Sequence, residues 1–305
     1  MPCICYINKR FNNNSKQIIY TAIDIINEYA NQGFDLTLRQ LYYQFVSRGF
    51  IENKEAEYKR LGNLINDARL AGMIDWNCIV DRTRKIKSNS HWSQPSEIVT
   101  DCINAYKIDK WEGQRYRPEV WIEKDALIGV IENICIQNDV SYFSCRGYVS
   151  QSSMWRASER LIDYSQQEQI PVIIHLGDHD PSGIDMTRDI YDRLFLFMQD
   201  CTSGLYNLEV NRIALNMKQI KQFNPPPNPA KITDTRVKDY IKKYGNESWE
   251  LDALEPTLIR SLIEEAILDL RNHDLWVKKS KQELKDKSIL KKIANNLRRP
   301  DDAKV

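Results

Sequence analysis

Ile18, Ile19, Ala22, Ile23, Ile25, Ile26 and Tyr29 recur at helical spacing after the polar opening Asn12-Asn-Asn-Ser15, which predicts a first helix. Gly33-Phe-Asp-Leu36 breaks that pattern, and Thr37 stands where an N-cap would open a second helix running through Phe45. A third helix, over roughly 55–71, sets Tyr58, Leu61, Leu64, Ile65 and Ala68 on one side, with Lys59, Arg60 and Arg69 among its polar positions. It stops near Gly72. Residues 73–84 are rich in branched and aromatic side chains and predict a short strand or two.

Three helices followed by a small β-element describe a winged-helix, CAP-like module, whose last helix and wing would face DNA. Arg82, Arg84, Lys85 and Lys87 would charge the wing, with Lys59, Arg60 and Arg69 as further candidate DNA contacts. A solvated turn of a helical bundle is the plainer alternative. Residues 88–114 read as a polar connector with one helix over 97–106. The period then changes: strands over 119–123, 140–144 and 170–176 alternate with helices over 126–137, 154–166 and 184–198, the pattern of a parallel α/β sheet. The predicted organisation is therefore 1–90, a connector over 91–116, an α/β domain with its extension over 117–270, and a basic helical tail over 271–305. Asn224–Ala230 reads as a stiff extended segment and Trp249–Pro256 as a lead-in to a helix over 258–270; neither translates into chemistry from sequence.

With 305 residues the chain has room for two domains, and 42% hydrophobic with 28% charged residues excludes a disordered or collagen-like chain. The longest apolar stretch, 171–176, is strand-sized, so no membrane span is expected. Lysine and arginine (43) nearly cancel aspartate and glutamate (42), so charge has to be read locally. Seven scattered cysteines show no disulfide framework, and Cys3-Ile-Cys5 has no histidine nearby to make a metal site. No signal-peptide plan opens the chain, and a cytoplasmic, nucleoid-associated location is expected.

Chemistry concentrates in Val172-Ile-Ile-His-Leu-Gly-Asp178-His-Asp180-Pro-Ser-Gly183. An apolar strand delivers two aspartates at its carboxyl end, where ligands bind in open α/β sheets. Residues i and i+2 of a strand share a side, so both carboxylates could face one hard cation such as Mg²⁺, with Mn²⁺ as an alternative. A turn capping the next helix is the structural alternative. Glu123 ends another predicted strand on the same sheet edge, and three converging carboxylates favour a divalent ion. Asp125 and Asp185 fit ordinary first-turn acids of helices.

A glutamate ending one strand and Asp-x-Asp ending a later one resembles the Toprim domain. Ile122-Glu-Lys-Asp-Ala126 and Asp178-His-Asp-Pro-Ser-Gly-Ile184 resemble the Toprim motifs of the topoisomerase VI A subunit and the meiotic double-strand-break transesterase, and Cys145-Arg-Gly-Tyr148 resembles that family's middle segment more weakly. The family's nucleophile pattern, Thr-x-Arg-acid-aliphatic-aromatic-Tyr, is matched by Thr37-Leu-Arg-Gln-Leu-Tyr-Tyr43 except that Gln40 replaces the acid. Leu38, Leu41, Tyr42, Phe45 and Val46 form the apolar stripe, so Tyr42 is expected in the core and Tyr43 exposed beside Arg39. Length and the lack of an ATPase module make the chain most similar to the compact Mini-A type.

The resemblance implies that Tyr43 attacks double-stranded DNA with help from Arg39, forming a 5′-phosphotyrosyl link. Glu123, Asp178 and Asp180 would hold Mg²⁺. It also implies a homodimer sharing its active site between protomers, and leaves room for a separate ATPase subunit. The alternatives are a Toprim nuclease that uses activated water, and a non-catalytic DNA-binding protein.

Overall fold

The computed structural model describes residues 3–80, 89–199, 207–230 and 234–296. Arg82, Arg84, Lys85 and Lys87 lie outside the described residues, as do the last residues of the expected tail.

Helix α1 (Asn13–Asn31) starts at Asn12, whose side chain accepts from the Ser15 amide at 2.8 Å, and buries Ile19, Ala22, Ile25, Ile26 and Tyr29. Helix α2 (Leu38–Ser47) opens on a reciprocal capping box: the Thr37 hydroxyl accepts from the Gln40 amide, and the Gln40 side chain accepts from the Thr37 amide at 2.9 Å. Gln40, at the position where the resemblance expects an acid, thus has a local task open to glutamine and glutamate alike, that of accepting from the N-cap amide. Helix α3 (Glu55–Leu70) passes close to α2 at Gly62, where a Cβ would lie 3.1 Å from the Leu38 side chain.

The strand expected over 73–84 does not form within 73–80. That segment turns instead, with the Asp75 carboxylate accepting from the Asn77 amide at 2.8 Å; its β-pairing is one isolated parallel bridge, Leu36 to Ile79, and its Ile74 and Ile79 pack into the core of the N-terminal helices. A side chain that bonds its own backbone two residues on competes with a strand ladder.

Helix α4 (Pro95–Ala105) occupies the connector. The sheet follows: β1 (Tyr116–Ile122), a short 3₁₀ turn at Asp125–Leu127, α5 (Ile128–Gln137), β2 (Ser141–Ser144), α6 (Gln151–Gln166), β3 (Ile170–Leu176), α7 (Pro181–Gln199) and β4 (Glu209–Ala214). Its order is β2-β1-β3-β4 and every pairing is parallel, as the strand–helix alternation predicts. Alternation along the strands splits the core. Val120, Ile122, Val172, Ile174 and Leu176 pack under α5 and a helix of the last third that carries Ile259, Ile263 and Ile267, whereas Trp121 and Ile173 pack under α6 and α7.

The last third adds α8 (Met217–Phe223), the two-residue antiparallel pair β5 (Asn228–Pro229) and β6 (Glu247–Ser248), α9 (Val237–Tyr244), α10 (Pro256–Leu270) and α11 (His273–Asn296). Helix α11 folds back onto α4; Tyr106 donates to Asp286 at 3.0 Å and Lys110 pairs with Glu283 at 2.9 Å. Among the described residues no helix is long and apolar enough to cross a membrane.

Candidate active site

The carboxyl edge of the sheet gathers the acids. Glu123 follows β1, its amide held by the Leu176 carbonyl at 2.9 Å, and its Oε2 accepts from the Asp178 amide at 2.8 Å. Strand β3 ends at Leu176, so Asp178 and Asp180 sit on a loop and the same-side rule for strands does not govern them. Asp178 Oδ1 accepts from the Leu251 amide at 2.8 Å and lies 3.1 Å from Lys124 Nζ. Asp180 Oδ1 accepts from the Gly183 amide at 2.6 Å and from Ser182 at 3.0 Å, capping α7. The approach is so close at Gly183 that a Cβ would lie 2.2 Å from the Asp178 carbonyl oxygen.

His179, between the aspartates, fastens the loop. Its backbone exchanges hydrogen bonds with Trp249 at 2.8 and 3.0 Å, its Nδ1 meets Tyr240 Oη at 2.7 Å, and its ring packs edge-on to Tyr240, Tyr244 and Trp249. Burial, with the nearby Arg212 charge, pushes its pKa down to about 4, so the ring is neutral at pH 7. Arg212 of β4 reaches under the loop and donates to the carbonyls of Gly177 at 2.9 Å, Asp178 at 2.6 Å and Gly183 at 2.9 Å.

Burial raises the pKa of Glu123, and the Asp180 charge adds to it. Burial also pushes Asp178 up to about 7, with Glu123 and Asp252 adding to the rise and Lys124 opposing it. Glu123 and Asp178, each raised in part by a neighbouring acid's charge, form with Asp180 a set of oxygen donors that suits a hard divalent cation. The backbone passes close beside them at Gly177, where a Cβ would lie 2.9 Å from Glu123 Oε2 and 3.2 Å from the Arg212 guanidinium. The donor chemistry fits Mg²⁺; among the described residues, however, no three acidic, histidine or cysteine side chains are already arranged as a metal cluster, each acid being turned to a protein donor.

Tyr43 is placed differently from the expectation. It is 4% exposed, as buried as Tyr42, so the exposed tyrosine is corrected to a buried one. Tyr42 bonds Asn53 at 3.0 Å and packs edge-on to Tyr58, whereas Tyr43 donates to Glu250 Oε2 at 2.6 Å. Arg39 is beside Tyr43 as the helical spacing predicts, with Nη2 3.4 Å from the phenol oxygen and its guanidinium carbon 5.6 Å from the ring centroid. What covers Tyr43 is the Trp249–Pro256 segment. Its Ala253 enters the core of the N-terminal helices, and two of its three acids meet Arg39: Glu250 at 2.5 Å and Asp252 at 3.0 Å.

Lys124 completes the connection, reaching Asp252 at 2.7 Å, Glu250 at 2.8 Å and Asp178 at 3.1 Å. An unbroken polar chain therefore runs from Tyr43 through Glu250 and Lys124 to Asp178. Sequence reasoning missed Glu250, Asp252, Lys124 and Arg212. A signal existed for the first two: Glu250-Leu-Asp252 repeats the acid-x-acid spacing of Asp178 and Asp180 within an apolar word. A cavity of about 270 Å³ opens here, lined by Arg39, Tyr42, Tyr43, Asn53, Tyr58 and Glu250 among others.

The other candidates lie elsewhere. Lys59 pairs with Glu55 at 2.8 Å and Arg60 with Glu57 at 2.6 Å on the exposed side of α3, while Arg69 stacks on Trp76 and donates to its carbonyl at 2.7 Å. Asp125 pairs with Arg146, and Asp185 with Arg188 and Arg236, as surface acids near helix starts. No protein-family model, curated protein or solved structure matches the chain.

Proposed function

We propose that the chain cleaves double-stranded DNA by tyrosine transesterification, in the manner of a topoisomerase VI A subunit, with a winged-helix-like N-terminal module and a Toprim-like sheet. The observation that carries this reading is the polar chain Tyr43–Glu250–Lys124–Asp178, which joins the candidate nucleophile to the acidic sheet edge. Two modules that bore the family's motifs by accident would have no reason to meet at those residues.

Tyr43 Oη would attack a DNA phosphorus and form a 5′-phosphotyrosyl bond. The Arg39 guanidinium, beside the phenol and 47% exposed, would orient the phosphate and offset its charge. Glu123, Asp178 and Asp180 would hold Mg²⁺, which supplies Lewis-acid stabilisation of the phosphoryl oxygens when bound. Two strands need two tyrosines, so the working form would be a homodimer; the link from Tyr43 to Asp178 within one chain favours a site to which each protomer brings both its tyrosine and its acids, in place of the shared site that the resemblance implies. Strand passage would call on a separate ATPase subunit.

The test is to incubate the protein with duplex DNA and Mg²⁺, denature it, and map any covalent adduct by mass spectrometry. The wild type should yield an adduct on Tyr43, and Tyr43→Phe should abolish both adduct and cleavage. An adduct at another residue sinks the site assignment. The burial of Tyr43 favours one second reading, hydrolysis by activated water at the acidic edge without the tyrosine. In that case Tyr43→Phe still cuts DNA and no adduct appears.

A further inference from the structure

A phenol of pKa about 10 attacks phosphorus well only when something takes its proton. Among the described residues one carboxylate hydrogen-bonds to Tyr43 Oη, that of Glu250 at 2.6 Å. The same Oε2 also accepts from Arg39 Nη2 at 2.5 Å and from Lys124 Nζ at 2.8 Å, while Oε1 faces Asn228 Nδ2 at 3.5 Å. Although burial works the other way, Lys124, Tyr43 and Arg39 hold the Glu250 carboxyl at about 2. Burial, with Asp252 and Glu250 adding to it, raises the Tyr43 phenol well above its ordinary value. In this state the proton stays on Tyr43.

Of the two cations on Glu250, Lys124 is mostly buried among three carboxylates, whereas Arg39 is half exposed on the rim of the 270 Å³ cavity. A phosphodiester entering that cavity offers Arg39 a second anion. We infer that Glu250 is the catalytic proton acceptor for Tyr43, made available when a DNA phosphate draws Arg39 away from it. This rests on the transesterase reading and adds to it a residue from outside the motifs that suggested it. Glu250 Oε2 takes the phenol proton as the Tyr43 oxygen–phosphorus bond forms and the phosphorus–3′-oxygen bond breaks. The departing 3′-oxygen takes a proton from water, and Glu250 returns its own to the hydroxide left behind.

A DNA strand with sulfur in place of the bridging 3′-oxygen isolates this step, since a thiolate leaves without a proton. Adduct formation on that substrate is followed with Mg²⁺ between pH 6 and 9 for the wild type, Glu250→Gln, Glu250→Asp and Tyr43→Phe, with folding checked by circular dichroism. Glu250→Gln should slow the Tyr43 adduct about 100-fold or more at pH 7. Its rate should then climb about tenfold per pH unit as hydroxide replaces the lost acceptor, while the wild type stays nearly flat. Glu250→Asp, which keeps a carboxylate, should recover part of the rate and the flat profile, and it carries the test if the glutamine variant does not fold. A Glu250→Gln rate within threefold of wild type, or a slower rate with the wild-type pH profile, overturns the role of Glu250 and leaves the transesterase standing. No Tyr43 adduct in the wild type overturns both.

Discussion

His175 is wholly buried on β3, its Nδ1 2.8 Å from the Thr187 hydroxyl and its Nε2 without a hydrogen-bond partner among the described residues. Burial, with Arg212 nearby, pushes its pKa down to about 3. The unfolded chain binds a proton there near pH 6.5 and the folded chain refuses it, so this residue's contribution is complete above pH 6.5 and is lost as pH falls toward 3. The expected slope is about 1.4 kcal/mol per pH unit within that window. His175→Gln, compared with the wild type by urea unfolding at pH 4, 5, 6 and 7, should show a flatter acid limb. Parallel limbs would mean that the ring protonates without opening the fold.

At the scale of elements, α2 positions Arg39 and Tyr43 one turn apart, and its entry is fixed by the Thr37–Gln40 capping box. Thr37→Ala removes the hydroxyl acceptor and should cost about 1 kcal/mol, read as a lower thermal midpoint, with faster hydrogen exchange at the start of α2. Regular elements like this one were legible from sequence because apolar spacing records burial: β3 and the stripe Leu41, Tyr42, Phe45 and Val46 stand where the pattern puts them. Strand β4 was not. It is an edge strand whose Glu209, Asn211 and Arg212 interrupt any apolar run, and Arg212 is turned to the acid loop. The same limit explains Tyr43. Helical spacing put it correctly off the stripe and beside Arg39, but no local pattern reveals that a segment about 200 residues later covers that side of α2. Glu123, Asp178 and Asp180 were traceable to one sheet edge because strand ends fix position, whereas their individual hydrogen bonds depend on Leu251, Gly183 and Lys124.

Across the whole molecule, the N-terminal helices and the sheet meet at Asp252, a carboxylate 3% exposed that receives both Arg39 and Lys124. Removing one partner of a buried ionic junction leaves the others uncompensated, and Asp252→Ala should cost about 3 kcal/mol. Hydrogen exchange should accelerate in α2 and in the Trp249–Leu254 segment before it does in β1 and β3. Uniform acceleration would show that the two halves unfold as one unit.

Ala253 sits in the core built by α1, α2 and α3. As the chain leaves the ribosome those helices emerge first, yet the residue that closes their core emerges only after the whole sheet has been made. Domains commonly fold in the order of synthesis; here the earliest module has to wait for one of the latest segments. Tyr43 would stay uncovered, and away from its carboxylate partner, until the acidic edge of the sheet already exists. Nascent chains released before Trp249 would carry the tyrosine with an open helical core, and those released after Leu254 the tyrosine with its cover.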